Sequence, residues 1–422
     1  MVEESPRCRG MRDLLPADMA RFRRVEDAFR NACLAWGYQE VRTPTIEHLH
    51  LFTAAGTLSP QMLGRVYSFL DWDGWSGERV VLRPDATIPV ARLFVEHRQQ
   101  EKLAKLFYIQ NVFRFADGDE PRESWQCGVE LMGDTQPSGD VELILLGCQV
   151  LEQLGLAPVE VRLSHPGIVR SVLVQAGLEG ADQLRVYDRI LDGDLSALSE
   201  VEERLPSLTT PLRLLFQGEG GGSAYLSNLR NAFLKAVPDM AGPLDELTVV
   251  AEALTALGCR CRVATALVRN FEYYTGPVFQ FVANGEAMGS GGRYDGLIAL
   301  VSGPPLPASG FALDVARLAS LMPSADEGVA AGQAVCVRPA RHQAEVLAAA
   351  FGAASAVRRL GLWSQVALAE AQPCPCRWEL TVAPRRRRGV AYSLYDRTSD
   401  DRRAFASLDD VLAALEAMGG AP

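Results

Sequence analysis

The chain has 422 residues, of which 48% are apolar and 22% are charged, as is typical of a globular protein of two or three domains. It contains neither a run of roughly 18 apolar residues, which a membrane span needs, nor an N-terminal signal sequence, so we expect a cytoplasmic protein without a membrane partner. The formal net charge is −10, and the bulk of the chain has no concentrated basic segment. A nucleic-acid partner is therefore not expected.

The cysteines and histidines do not form a metal-binding pattern. The nine cysteines include two close pairs, Cys259 with Cys261 and Cys374 with Cys376, and both have C-x-C spacing without a second pair nearby. A zinc site usually combines C-x₂-C pairs or histidines at fixed intervals. We therefore expect no metal and no cofactor.

The first part of the chain mixes helical and strand patterns. Apolar residues recur every three or four positions from 19 to 36, which predicts an amphipathic helix that ends at Gly37, a residue type suited to a helix C-cap. Beyond this helix we predict, up to residue 164, a strand over 38–45, a hairpin of 66–70 with 79–82, a helix that starts at R-P-D-A-T (83–87), a second hairpin of 106–115 with 126–133, a helix over 139–154 and a strand over 159–164.

The middle of the chain has helical segments with acidic surfaces and a flexible break at G-E-G-G-G-S (218–223), which predicts an inserted helical module. The elements predicted after it are strands over 261–266 and 274–282, a helix over 308–322, and, in a C-terminal unit, a strand over 334–337, a helix over 343–360, strands over 363–367, 378–382 and 390–395, and a helix over 408–418. We therefore divide the chain into a first core part (1–164), a mainly helical insertion (165–258), a second core part (259–323) and a small α/β C-terminal domain (324–422).

One stretch, 269–296, is densely polar between apolar flanks. It reads R-N-F-E-Y-Y-T-G and then, after a short apolar strand, G-S-G-G-R-Y-D-G. Tyrosines, arginines and acids beside glycines, which allow close backbone approach, suit a pocket for a small polar ligand. The alternative is a β-hairpin with a glycine turn and ordinary, internally paired polar groups.

The order of short motifs along the chain resembles one family. About three quarters of the sequence is similar to the catalytic core of histidyl-tRNA synthetase, a class II aminoacyl-tRNA synthetase. The resemblance implies an α+β fold with an antiparallel sheet flanked by helices, and dimerisation through the helix at 19–36 and the strand after it. The collinear motifs are R-G-M-R-D-L-L-P, W-G-Y-Q-E-V-R-T-P-T, V-L-R-P-D-A-T, F-R-F with Q-C-G-V-E-L-M-G, R-N-F-E-Y-Y-T-G, G-S-G-G-R-Y-D-G-L and G-F-A-L-D-V-A-R-L.

The resemblance also implies a binding site for free histidine. That ligand carries an ammonium, a carboxylate and an imidazole, so a selective pocket needs an acid, a base and directional hydrogen-bonding groups. Alternatively, the matching residues are inherited polar core groups without a ligand. The histidine-binding residues implied by the family pattern are Asp85, Thr87 and Gln126 at the ammonium, Arg114 and Arg269 at the carboxylate, and Glu130, Tyr274 and Tyr294 at the imidazole, with Tyr273 in the same set.

The ATP-binding motifs depart from the synthetase pattern. Ala116 replaces a glutamate that helps to position ATP, and Glu120 lies in a shortened loop where a basic residue is usual. In the last motif Arg317 is kept, but Asp314 replaces a glycine and Ala316 replaces an acid. A carboxylate beside a triphosphate is electrostatically unfavourable. We therefore expect no catalytic residues.

The C-terminal unit is too short to be a complete anticodon-binding domain. Only about ten residues separate the strands predicted to end at 367 and to begin at 378, so the further helical crossover of such a domain does not fit. We interpret 324–422 as a degenerate remnant.

A histidine pocket without ATP or anticodon machinery resembles the family of ATP phosphoribosyltransferase regulatory subunits, which are paralogues of histidyl-tRNA synthetase. The resemblance implies a non-catalytic chain that is required for the first step of histidine biosynthesis and confers feedback regulation by histidine. Its partner would be the short-form catalytic subunit, in a hetero-oligomer that contains a homodimer of this chain. Two alternatives stay open: a divergent histidyl-tRNA synthetase, and a stand-alone histidine-binding sensor.

Overall fold

A computed structural model describes residues 7–54, 64–72, 77–118, 120–134, 136–192, 194–265, 267, 273–322, 334–368, 376–385 and 389–419. The chain divides into two compact units, Met1–Met322 and Pro323–Pro422. Over these ranges no helix has both the length and the apolar character that a membrane crossing requires. No cluster of three or more histidine, cysteine or acidic side chains in the same ranges could hold a metal ion.

The first unit is built on a mixed β-sheet with helices on both faces. Its elements, in chain order, are α1 (Pro16–Ala35), β1 (Gln39–Glu40), β2 (Ile46–His48), α2 (Leu49–Ala54), β3 (Ser68–Trp72), β4 (Gly77–Leu82), α3 (Thr87–His97), β5 (Ala104–Phe113), β6 (Glu123–Met132), α4 (Pro137–Gln153), β7 (Val159–Ser164), α5 (Pro166–Gln175), α6 (Ala181–Leu191), α7 (Leu195–Arg204), α8 (Thr209–Gln217), β8 (Glu219–Gly221), α9 (Gly222–Phe233), α10 (Ala241–Ala256), β9 (Arg260–Ala264), β10 (Val278–Ala283), β11 (Glu286–Arg293), α11 (Leu297–Leu300), β12 (Ala308–Asp314) and α12 (Val315–Leu321).

Among the described residues, nine strands form one sheet in the order β1-β5-β6-β12-β11-β10-β7-β9-β8. The six strands from β5 to β7 pair antiparallel throughout, which confirms the class II synthetase-like sheet. Among these nine described strands, parallel pairs occur only towards the two edges, between β1 and β5 and between β7 and β9. A separate sheet of order β2-β4-β3 contains the first predicted hairpin.

The two faces of the large sheet differ in character because side chains alternate along each strand. On β6, Val129 and Leu131 point to one face, where α1 and α4 cover them in a continuous apolar core. Close packing is marked at Gly147 of α4, because an added Cβ would overlap the Phe281 ring. The opposite face carries Glu130 on the same strand, and it is covered near β5 by the apolar side of α3.

Helix α1 confirms the first predicted helix and its end. Gly37 has a positive φ of 80°, and the Tyr38 amide donates to the Cys33 carbonyl over 2.9 Å, which closes the helix in a Schellman-type turn. The strand predicted over 38–45 is shorter than expected, since only Gln39–Glu40 pairs. The buried Arg83 instead holds the following backbone by donating to the carbonyls of Thr43 (2.8 Å) and Pro44 (3.0 Å).

Two predictions in this unit were wrong. The glycine-rich segment over 218–223 forms the edge strand β8 and the start of α9, because the absence of a side chain at Gly220 lets the Tyr225 ring pack onto it. The helix predicted over 308–322 is strand β12 followed by α12. Its first half alternates, with Phe311 and Leu313 buried in the apolar core, and only the second half has helical spacing.

Over its described residues, the second unit is a five-stranded sheet with two helices. Its sheet order is β14-β13-β15-β16-β17, and the last strand was not predicted because it is mostly exposed and polar. The predicted absence of a helix between 367 and 378 lies largely outside the described residues. Its elements are β13 (Ala334–Pro339), α13 (Ala344–Arg359), β14 (Trp363–Val366), β15 (Trp378–Pro384), β16 (Val390–Asp396), β17 (Asp401–Phe405) and α14 (Leu408–Gly419).

Candidate functional site

A buried carboxyl group and three tyrosines form a cluster on the second face of the large sheet. Glu130 of β6 is 1% exposed and accepts a hydrogen bond from the hydroxyl of Tyr294, which follows β11. The ring of Tyr273 stacks on that of Tyr294, with centroids 5.1 Å apart, and Tyr274 meets Tyr273 edge-on at 5.1 Å. We refer to Glu130, Tyr273, Tyr274 and Tyr294 as the pocket cluster.

Glycines on neighbouring strands make room for the pocket cluster. Gly310 of β12 pairs in register with both Glu130 and Gly292 of β11. A Cβ at Gly310 would collide with the Tyr294 hydroxyl and the Glu130 carboxylate, and a Cβ at Gly292 would lie 2.8 Å from the Tyr274 ring. The sheet can therefore carry large polar groups on this face because two of the neighbouring positions, Gly292 and Gly310, have no side chain.

The environment of Glu130 favours the protonated acid. Burial raises its pKa to about 8, while the hydroxyl groups of Tyr294, Thr87 and Tyr108 act in the opposite direction and the charge of Asp85 adds to the increase. At neutral pH the carboxyl group is therefore mostly neutral in the empty pocket. A ligand that offers a cation or an N–H donor would favour its ionised form, since that form accepts more hydrogen bonds.

A second acid lies at the start of α3. The Asp85 carboxylate accepts from the backbone amide of Ile88 over 3.0 Å, so it caps the helix. Burial raises its pKa, whereas the helix amides and the charge of Arg114 lower it. Arg114 is fixed nearby because its Nε donates to the Pro84 carbonyl over 2.7 Å. The site thus places an acid and a base close together at one end of the pocket cluster.

Tyr108 belongs to this site but was missed from the sequence. It is fully buried on β5. Burial raises the pKa of its hydroxyl group well above the usual value, and the charges of Glu130 and Asp85 raise that pKa further. Its hydroxyl has no well-formed hydrogen bond to any described residue, which is costly for a buried polar group unless a ligand completes it. Only the pairing of two strands reveals this residue. Tyr108 lies opposite Gly128 on the neighbouring strand, where an added Cβ would overlap the tyrosine ring.

The structure brings some of the predicted site residues together and leaves others apart or undescribed. Thr87 and Asp85 both influence the pKa of Glu130 and that of Tyr108. Arg114 lies close enough to Asp85 for its charge to lower the pKa of that acid. Gln126 lies on the same sheet face as Glu130, four residues away along β6, opposite Gln110 of β5 and Asp314 of β12. Arg269 lies outside the described residues. The hairpin alternative is correct for β10 and β11, but their turn is at Asn284 and Gly285, and the glycines from 289 to 292 lie within β11.

The residues that depart from the synthetase pattern have structural contacts here. The Ala116 carbonyl accepts from Nε of Arg122 over 2.9 Å. Asp314 caps α12 by accepting from the Arg317 amide over 3.0 Å, and Nη1 of Arg317 donates to the Ala287 carbonyl over 2.6 Å. In the position of a family glycine, the carboxylate therefore stabilises a helix end.

This capping role gives a first prediction. Asp314→Ala should lower the free energy of unfolding by about 1 kcal/mol, because it leaves the Arg317 amide without its partner, while Asp314→Gly should cost only a few tenths. Urea unfolding of both variants measures the difference, and Asp314→Asn, which keeps a capping oxygen, is the matched control. Equal losses in the alanine and asparagine variants would contradict the capping role.

Comparison with known proteins identifies the family of this chain. The sequence model of the histidyl-tRNA synthetase family matches residues 10–318. A protein of Dehalococcoides mccartyi named ATP phosphoribosyltransferase regulatory subunit is 40% identical over 410 residues, which is 97% of this chain and 98% of that protein. This chain belongs to the family of ATP phosphoribosyltransferase regulatory subunits. The resemblance inferred from its motifs is thereby confirmed.

Regulatory subunits and histidine–tRNA ligases share the same core. A histidine–tRNA ligase of Methanosarcina acetivorans is 34% identical to this chain over 75% of each protein. A crystal structure from Bacillus halodurans, titled as an ATP phosphoribosyltransferase regulatory subunit/histidyl-tRNA synthetase, superimposes with a TM-score of 0.73 at 27% identity and covers 88% of this chain and 95% of that one. In sequence, the match to the Dehalococcoides mccartyi regulatory subunit covers 97% of this chain, and the match to the Methanosarcina acetivorans ligase covers 75%.

Proposed function

We propose that this chain is the non-catalytic regulatory subunit of a cytoplasmic ATP phosphoribosyltransferase, required for the first step of histidine biosynthesis, and that it confers feedback regulation by binding histidine. Its partner is a short-form catalytic subunit. Within the complex the chain forms a homodimer through α1 and β1, an arrangement supported by the apolar Leu34, which is 55% exposed on α1.

The observation that carries histidine binding is the buried Glu130 within a ring of tyrosines. An imidazole N–H donates to the Glu130 carboxylate, and the aromatic rings of the pocket cluster enclose the flat ligand. The ammonium lies towards Asp85 and the carboxylate towards Arg114, which together match the two charges of a free amino acid. The hydroxyl of Tyr108 supplies the further directional contact.

Regulation follows if histidine binds one state of the complex more tightly than the other. A ligand shifts an equilibrium only by its difference in affinity for the two states, and the effect is reciprocal. The catalytic subunit in its inhibited state should therefore raise the affinity of this chain for histidine. The departures at Ala116, Asp314 and Ala316 support a role without adenylation.

We also propose the domain division drawn from the sequence. The helical segment over 165–258 is an insertion between the core parts 1–164 and 259–323, and 324–422 is a remnant of an anticodon-binding domain. In the structure the insertion shares the apolar core of the large sheet and adds β8 to its edge.

Titration calorimetry and reconstitution test the proposed function. We expect one histidine per chain, with much weaker binding of histamine, which lacks the carboxylate that Arg114 faces. Added to a short-form catalytic subunit, the chain should restore phosphoribosyl transfer, and histidine should inhibit only the reconstituted complex. Histidine-dependent exchange of pyrophosphate into ATP by the purified chain would instead identify an active synthetase. Histidine binding without any effect on the catalytic subunit would identify a sensor with another partner.

A further inference from the structure

A buried ionic network lies on the α4 face of the large sheet, opposite the face that carries the pocket cluster, and has no role in the function proposed above. Arg293, which is 6% exposed, donates to Asp140 and, over 3.2 Å, to Glu246. Glu246 also lies 3.6 Å from Nε2 of His165. We call these four residues the Arg293 network.

The Arg293 network joins four parts of the first unit. Arg293 ends β11, Asp140 lies in the first turn of α4, His165 precedes α5, and Glu246 lies on α10. Nδ1 of His165 accepts from the Gly167 amide over 3.0 Å, so its proton is on Nε2, the nitrogen that faces Glu246. The carboxylate of Glu246 therefore interacts with two donors from outside its own helix.

The two acids of this network differ in burial and in the direction of their pKa shifts. Asp140 is 1% exposed, and burial raises its pKa to about 7 even though Arg293 acts to lower it. One of its oxygens, Oδ1, has no hydrogen-bond partner among the described residues. Glu246, in contrast, has a lowered pKa, mainly through its interaction with His165 and also through Arg293. A buried guanidinium is thus shared between a fully enclosed acid and a more accessible one.

Arg293 also supports the loop that carries two residues of the pocket cluster. The Thr275 amide donates to its carbonyl over 2.8 Å, and its own amide donates to the Pro277 carbonyl over 3.1 Å. At Gly276 an added Cβ would lie 2.9 Å from Cδ of Arg293, so the loop lies directly on the arginine side chain. Arg293 therefore lies against the loop two residues after Tyr274, and the next residue along the chain is Tyr294.

We propose that Glu246 is a positioning residue for the histidine pocket, and that through Arg293 it couples occupancy of the pocket to the order of the helical segment over 166–256. This inference rests on the proposed binding of histidine. A ligand that orders the tyrosine loop fixes Arg293, and a fixed Arg293 binds Glu246 more strongly. By reciprocity, a helical segment held by Glu246 presents a better-formed pocket.

Glu246 is the member of the network that can be changed without losing the fold. Its side chain is 45% exposed, whereas those of Asp140 and His165 are 1% and 4% exposed. Removing a partly exposed partner of an ion pair has a small effect on stability. Breaking the pair of Arg293 with Asp140 would instead leave a buried charge without a partner, which is strongly destabilising.

The test compares Glu246→Gln with Glu252→Gln, an exposed position on the same helix outside the network. Histidine binding is measured by calorimetry, and amide hydrogen exchange is measured over 166–256 with and without saturating histidine. We expect Glu246→Gln to weaken histidine binding about tenfold, a usual size for coupling between sites. Histidine should slow exchange in α10 of the wild type and of Glu252→Gln but not of Glu246→Gln.

A second variant, in the loop that packs on Arg293, tests the same coupling. Gly276→Ala, which forces the loop away from Arg293, should also remove the slowing of exchange by histidine. Unchanged affinity and retained slowing in Glu246→Gln would overturn the coupling and leave histidine binding intact. So would wild-type protein that binds histidine without any change in exchange over 166–256. A wild type that binds no histidine would overturn both the proposed function and this inference.

Discussion

Glu130→Gln is expected to abolish measurable histidine binding while making the protein more stable above about pH 8. The pKa of Glu130 is about 8 in the fold and 4.5 for the unburied group, so the folded protein holds one more proton between these values. Stability conferred by that proton is present at low pH and is lost as the pH rises through this window. At about 1.36 kcal/mol per pH unit, the loss reaches on the order of 5 kcal/mol by pH 8 to 9.

Urea unfolding as a function of pH measures the stability effect. The wild type should become less stable from about pH 5 to pH 8, and Glu130→Gln should follow a flatter curve because glutamine does not ionise. Glu123→Gln is a matched control on the same strand, since Glu123 is only partly buried and accepts from the Asn111 amide over 2.8 Å, as a glutamine oxygen also can. Parallel curves for the wild type and Glu130→Gln would rule out a buried, protonated carboxyl group.

Histidine affinity should depend on the same proton, but it should rise with pH, whereas stability falls. An imidazole N–H favours the ionised carboxylate, so histidine affinity should rise with pH between about 7 and 8.5, where free imidazole is already neutral. Calorimetry in buffers of different ionisation enthalpy should detect the released proton. A wild type that binds histidine without releasing a proton would contradict the assignment of Glu130 to the imidazole.

Gly310→Ala is expected to destabilise the fold by about 3 kcal/mol or more and to eliminate the pocket. An added Cβ would overlap the Val129 carbonyl of the neighbouring strand, the Tyr294 hydroxyl and the Glu130 carboxylate. The backbone oxygen cannot move aside without breaking the pairing of β6 with β12, so the strain cannot be relieved by a side-chain rotation. Thermal unfolding and histidine titration measure the two effects.

The control for this variant is Gly242→Ala. Gly242 lies in the first turn of α10, where an added Cβ has no neighbour within 4 Å, so the stability should change by less than about 1 kcal/mol. If the two alanine variants were equally stable, the close approach of β6, β11 and β12 at Gly310 would be wrong.

Much of the fold followed from local patterns. The spacing of apolar residues in α1, with a glycine at its end, leaves only one regular structure that buries Phe22, Val25 and Phe29 together. The segment that became β12 was ambiguous because its apolar residues have a spacing of two before Asp314 and a helical spacing after it. Strand β17 gave no pattern at all, since an exposed edge has no buried face to impose alternation.

The site was accessible from the sequence only where family motifs marked it. Motifs identified the pocket cluster, but Tyr108 depends on its register opposite Gly128, which lies 20 residues away along the chain and is fixed only by the pairing of β5 with β6. Likewise, Arg293 and Glu246 are 47 residues apart and meet only through packing of α10. Such contacts leave no periodic trace, so no local pattern could have predicted them.

The two faces of the large sheet differ, since one is apolar and the other carries the pocket cluster. This difference affects how proteins of this family can change. The apolar face, held by α1 and α4, buries a continuous apolar core, while on the other face Gly128, Gly292 and Gly310 make room for the pocket cluster and Tyr108. Substitutions at polar positions of the second face, outside the apolar cluster under α3, therefore leave the main apolar core intact, provided the glycines remain. At position 314 a carboxylate, where the synthetase pattern has a glycine, caps a helix. Polar groups on one face can thus change while the apolar core on the other face stays the same.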